Sequence, residues 1–186
     1  MSSSADQELI KGCIAGNREH QRNLYEQLAP RMMVIAMRYS KSQDQAEDIL
    51  QDAFVKVFQN LKRFKGKSLL STWVHKIVVT TALNYQRGKL YMFPMADISE
   101  QTSLQTADDI IGKVSLDELL GYVQNLPSGC QVIFNLYAIE GYKHDEIAQE
   151  LGITMGTSKS QYSRAKKLLQ ERLVEVKELR YGNTQG

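Results

Sequence analysis

The chain has 186 residues, 42% of them hydrophobic and 24% charged, with a formal net charge of +2. This is the balance of a soluble globular protein with one or two cored domains. It excludes a bulk polycation, so any affinity for nucleic acid must come from local patches. No apolar run approaches the ~20 residues of a membrane span, and the MSSSADQEL start is too polar for a secretory signal. Cys13 and Cys130 lie far apart and read as reduced thiols of a cytoplasmic protein, not as a disulfide framework.

Hydrophobic periodicity predicts helices from the start. A short one holds Leu9, Ile10, Cys13 and Ile14 and ends at Gly16. A second, about 18–39, stripes Leu24, Leu28, Met32, Ile35 and Ala36 along one side. A third has the cleanest spacing, with Ala46, Ile49, Leu50, Phe54, Val57, Phe58 and Leu61 at steps of three and four. Its other face carries Glu47, Asp48, Gln51, Asp52 and Lys56. After the polar loop FKGKSLLST, a fourth helix turns Trp73, Ile77, Val78 and Thr81 inward. Lys76, Thr80, Asn84 and Arg87 share another of its faces.

From about Gly88 the periodicity fades, and PMADISEQTSLQTADD reads as a flexible linker. It resumes with Leu116, Leu119, Leu120 and Val123, which stop at Leu126-Pro127. Ile133, Phe134, Leu136 and Tyr137 follow and stop at Gly141. The expected organisation is all-α, with a helical domain over 5–88, a linker over 89–112 and a second helical domain over 113–180.

Tyr142 to Lys167 carries the most information. A helix from about Asp145 to Leu151 buries Ile147, Ala148 and Leu151. Gly152 suits the turn, Ile153 plugs the angle, and Thr154 caps the next helix. Small Ala148 with Gly152 four positions later allows close packing at a steep angle, as in a helix-turn-helix. The second helix is expected to show solvent Thr157, Lys159, Ser160, Gln161, Ser163 and Arg164, donors and cations suited to phosphates and base edges. Its core face would be Tyr162, Ala165, Leu168 and Leu169, and it would run on to about Leu179.

Three blocks, QAEDILQDAFVKVFQNLKRF, FKGKSLLSTWVHKI and LPSGCQVIFNLYAIEGYKHDEIAQELGITMGTSKSQYSRAKKLL, stand in this order. Together they resemble the extracytoplasmic-function (ECF) sigma factors of the sigma-70 family, the promoter-specificity subunits of bacterial RNA polymerase. The resemblance covers about 7–87 and 116–173. The GTSKSQ stretch is similar to a subgroup associated with Bacteroidota.

The resemblance implies roles residue by residue. Glu47, Asp48, Gln51, Asp52 and Lys56 would meet core RNA polymerase. Lys65, Lys67, Ser68 and Ser71 of the loop, with Lys76, Thr80, Asn84 and Arg87 of the fourth helix, would hold melted −10 DNA. Thr157, Lys159, Ser160, Gln161, Ser163, Arg164 and Lys167 would read the −35 element, with Gln161 suited to adenine. Trp73 is expected in the core, and Lys166 and Arg172 as solubilising cations. Against the family pattern, Thr80 stands for a common Asn, Ser158 for a common Val, and Lys143 for a capping Ser. A lost cap costs about 1 kcal/mol. An anti-sigma factor would be a further protein partner.

Other classes lack parts. There is no GxxxxGK[ST], HExxH or paired CxxC, and His20, His75 and His144 stand singly. Neither an enzyme nor a metal, cofactor or small-molecule site is expected. The alternative is a helix-turn-helix regulator that binds operators as a dimer without polymerase. A helical adaptor binding only protein would leave the face from Thr157 to Arg164 without a purpose.

Overall fold

The computed structural model describes residues 4–90 and 116–181, with side chains over 6–87 and 118–175. The chain forms two compact units, Met1–Gln86 and Arg87–Gly186. The described residues are helices and their connections, with no strand among them. None of these helices is long and apolar enough to cross a membrane.

The first unit holds α1 (Ser4–Ile14), α2 (Arg18–Tyr39), α3 (Gln43–Asn60), a 3₁₀ turn (Leu61–Arg63) and α4 (Leu70–Leu90) up to Gln86. The starts of α2 and α3 have a local cause. Asn17 Oδ1 accepts from the Glu19 and His20 amides at 2.9 and 3.2 Å, and Ser42 Oγ accepts from the Gln45 amide at 3.2 Å. Gly12 of α1 lies so near α2 that a Cβ there would run into the His20 ring.

Most of the core is where the spacing puts it, although Leu28 and Phe58 are half-buried. Leu24, Met32, Ile35 and Ala36 of α2 are buried against Ala46, Ile49, Leu50, Phe54 and Val57 of α3. α4 adds Leu70, Val74, Val78, Ala82 and Leu83. Trp73 and Ile77, expected inside, are only half-buried. The inward stripe of α4 is rotated by one position toward Val74, which leaves the Trp73 ring at the edge. Gln86, which periodicity alone would leave out, is fully buried, and its Nε2 donates to the Tyr39 carbonyl at 2.5 Å. That bond satisfies a carbonyl at the end of α2 that water cannot reach.

The linker expected over 89–112 lies outside the described residues except for Lys89 and Leu90, which belong to the last turn of α4.

The second unit holds α5 (Leu116–Asn125), α6 (Ser128–Phe134) with a π-helical extension (Asn135–Ile139), α7 (His144–Leu151) and α8 (Met155–Tyr181). Val123, Leu126, Cys130 and Phe134 pack with Ala165 and Leu169 of α8. The π turn is the departure from a plain helix. The Glu140 amide reaches five residues back to the Asn135 carbonyl at 2.9 Å. The extra residue in that turn shifts the faces of the segment, and Tyr137 emerges half-exposed toward α7.

Candidate nucleic-acid interfaces

α7 and α8 form the expected helix-turn-helix. Ile147 and Leu151 are buried, and the Ile153 amide closes on the Ala148 carbonyl at 3.1 Å. Gly152 takes φ +66°, where an L side chain would be strained. At the start of α7, Lys143 offers no acceptor, but Glu146 Oε2 accepts the Lys143 amide at 2.8 Å. Half of a capping box thus survives without the hydroxyl. At the start of α8, Thr154 Oγ1 accepts the Thr157 amide at 3.0 Å and meets the Thr157 hydroxyl at 2.9 Å.

The residues proposed for duplex DNA divide by exposure. Lys159, Ser163, Arg164 and Lys167 are exposed, and Thr157, Ser160 and Gln161 are half-buried. Ser160 Oγ donates to the Thr157 carbonyl at 3.1 Å, and the Gln161 amide oxygen accepts from the Cys130 thiol at 3.1 Å. Three of the seven side chains therefore spend a polar atom on the protein itself. Lys167 lies 4.0 Å from Glu171, a surface pair one turn on, which is a weak competitor for a phosphate.

Ser158 is fully buried, and its hydroxyl meets His144 Nδ1 at 2.9 Å. The His144 ring stacks on Tyr137 with centroids 4.3 Å apart, and Tyr162 lies 4.5 Å from Tyr137. Lys166 sits 4.9 Å over the Tyr162 ring, a packing role for a cation expected only to solubilise. Burial pushes the His144 pKa below its ordinary value; Lys159 and Lys166 push the same way and Asp145 opposes them. No motif marks this cluster. His144 and Ser158 are fourteen residues apart, and only the odd hydroxyl at a packing position hinted at a buried partner.

In the first unit, α3, the 3₁₀ turn and α4 enclose an open cleft of about 440 Å³. Lys76, Thr80 and Asn84 line it, as do Trp73, Lys56, Asn60 and Arg63. Trp73 packs on Phe64 with ring centroids 5.4 Å apart. Thr80 Oγ1 donates to the Lys76 carbonyl at 2.8 Å. Lys65, Lys67 and Ser68 are exposed and Ser71 half-buried, and none of the four lines the cleft. Arg87 is exposed one turn beyond Asn84.

The face expected to meet a protein is split. Glu47, Asp48, Gln51 and Asp52 are exposed, whereas Lys56 is half-buried and its Nζ donates to Thr81 Oγ1 at 3.2 Å. Tyr85 donates its hydroxyl to Asp52 Oδ2 at 2.7 Å. That bond is the chief reason the phenol pKa is pushed up to about 12.

Residues 24–89 match the model of Sigma-70 region 2, and residues 116–169 that of Sigma-70, region 4. The chain is 24% identical over 180 residues to the ECF RNA polymerase sigma-E factor of Haemophilus influenzae, covering 90% of this chain and 95% of that protein. It is 23% identical over 185 residues to the RNA polymerase sigma-H factor of Pseudomonas aeruginosa, covering 93% and 96%. Among solved structures it is similar to the sigma factor RpoE in complex with the anti-sigma factor NepR from Bartonella quintana. That match has 22% identity, covers 83% and 96% of the two chains, and has a TM-score of 0.48.

Proposed function

With regions 2 and 4 in order, the chain belongs to the sigma-70 family, and we infer from this how its faces divide the work. The protein is an ECF sigma factor that binds core RNA polymerase and directs promoter-specific initiation of transcription. In the proposed arrangement, Glu47, Asp48, Gln51 and Asp52 dock on the polymerase. The α3–α4 cleft takes single-stranded −10 DNA, with Trp73 as a stacking edge and Thr80 and Asn84 as polar partners. Lys65, Lys67, Ser68, Ser71 and Arg87 guide the backbone around it. In the second unit, Lys159, Ser163 and Arg164 lead contacts to the −35 duplex, with Thr157, Ser160, Gln161 and Lys167 beside them.

The observation that carries this reading is α8. Its cap, its turn and its buried Ala165 and Leu169 hold Lys159, Ser163 and Arg164 outward together. Each unit alone binds weakly, and their linkage raises effective concentration and makes promoter spacing part of specificity. The polymerase supplies the chemistry in the cytoplasm, and an anti-sigma factor would hold the free chain inactive by covering both faces. We assign the GTSKSQ stretch to a Bacteroidota-like subgroup on sequence resemblance alone. A dimeric operator-binding regulator is not favoured, because the N-terminal half matches region 2.

Run-off transcription with purified core polymerase on genomic fragments tests the reading. New discrete start sites only when the protein is added are expected. Sequence-specific binding by the protein alone, with no core-dependent initiation, would reverse it.

A further inference from the structure

We propose that Lys56 faces the backbone phosphate of the strand held in the α3–α4 cleft, is positioned by Thr81, and lies outside the polymerase face. The proposal rests on the single-strand reading of that cleft. Helical spacing places Lys56 in line with Asp52, one turn on, and therefore with the acidic face. The side chains part company. Asp52 is exposed and takes the Tyr85 hydroxyl, whereas Lys56 is half-buried and reaches across to Thr81. Thr81 is only 1% exposed, so its hydroxyl is a fixed anchor that draws the ammonium toward α4.

That tether leaves the charge usable. An ammonium has three N–H donors, and Thr81 takes one of them. The remaining donors lie in the cleft, where, among the described residues, Arg63 and Lys76 are the other charged ones lining it and none is a carboxylate. Three cations around one open space attract an anion and would repel a basic partner. The Trp73 edge and the Asn60 and Asn84 amides on the same walls suit a base, so the anion is the phosphate of a nucleotide and not a free acid. Asn60 Nδ2 donates to the Lys56 carbonyl at 2.9 Å, which fixes that wall from the helix end.

The test uses holoenzyme assembled from core polymerase and the full chain. Binding of a labelled single-stranded oligonucleotide carrying the non-template −10 sequence is measured across a salt series. Each phosphate contact on a single strand contributes about 0.7 to the slope of log affinity against log salt. Lys56→Met, which keeps the stem, is expected to weaken oligonucleotide binding about tenfold. It should lower the slope by about 0.7 and keep core affinity within about twofold. Lys56→Arg should restore the slope. Thr81→Val should weaken binding with the slope intact, because the charge remains. An unchanged slope for Lys56→Met, while Asn84→Ala still weakens binding, would overturn the role of Lys56 alone. Loss of core affinity in Lys56→Met would return the residue to the polymerase face. No oligonucleotide binding by the wild-type holoenzyme would sink the single-strand reading itself.

Discussion

His144 Nδ1 and the Ser158 hydroxyl meet at 2.9 Å, tying the first helix of the helix-turn-helix to the one that carries its exposed cations. The ring is held on its other side by Tyr137 from the π turn, with Tyr162 at its edge. The contact joins α7 to α8 whichever of the two atoms donates. Protonation would make the ring nitrogen a donor only and set a charge in a partly buried place near Lys159 and Lys166.

The pH dependence follows from that placement. The folded pKa of His144 lies below the ordinary value of 6.5, chiefly through burial. Between the two values the unfolded chain binds more protons, so stability rises with pH. The contribution is complete above the unfolded pKa and is lost as pH falls toward the folded one. In urea titrations followed by tyrosine near-UV circular dichroism, wild type should lose more stability than His144→Asn between pH ~7.5 and pH ~5.5. Identical pH profiles would remove His144 from this role.

Gly12→Ala sets two effects against each other. Alanine favours a helix by about 1 kcal/mol over glycine. Its Cβ, however, would meet the body of the His20 ring and not a mobile tip, and overpacking costs about 1–3 kcal/mol. The clash should win, with net destabilisation in chemical denaturation of the full chain. Gly12→Ala with His20→Ala should recover stability to near or above wild type. A stabilising single variant would mean that α1 shifts freely on α2.

How much of this was legible follows from distance along the chain. Core stripes of α3 and the capped turn at Gly152 and Thr154 are local patterns, and residues within four positions decide them. Lys56 lies on the helix side that the spacing gives it, but spacing does not tell what its long side chain reaches. Its partner Thr81 is 25 positions away. Gln161 shows the same limit, since Cys130, 31 positions earlier, takes its amide oxygen. The π turn was invisible because an apolar series such as Ile133, Phe134, Leu136 and Tyr137 fits three-and-four spacing on either side of an inserted residue.

The division within α8 predicts a hierarchy among its variants. Lys159→Ala and Arg164→Ala remove exposed cations, and each should lower −35-dependent transcription while reducing the salt slope of duplex binding by about 0.9. Gln161→Ala should leave that slope unchanged and cost less activity, because its amide oxygen already accepts from a buried thiol. A Gln161→Ala defect equal to that of Arg164→Ala, confined to one −35 base pair, would show that this amide swings out to read a base.

Within the cleft, Thr80 and Asn84 should not be equivalent. The Thr80 hydroxyl donates to the Lys76 carbonyl, so only its acceptor side is open to a ligand. Asn84 is exposed on the same wall and offers both a carbonyl and an NH₂ group. Leaving a base edge unpaired costs about 1–3 kcal/mol, or roughly ten- to a hundredfold in occupancy. Asn84→Ala should therefore lower open-complex formation more than Thr80→Ala, with permanganate reactivity of promoter thymines as the readout. The double variant should keep its core polymerase affinity, since neither residue lies on the acidic face of α3. Undiminished melting in the double variant would move the −10 contact out of this cleft and onto the Lys65–Ser71 loop.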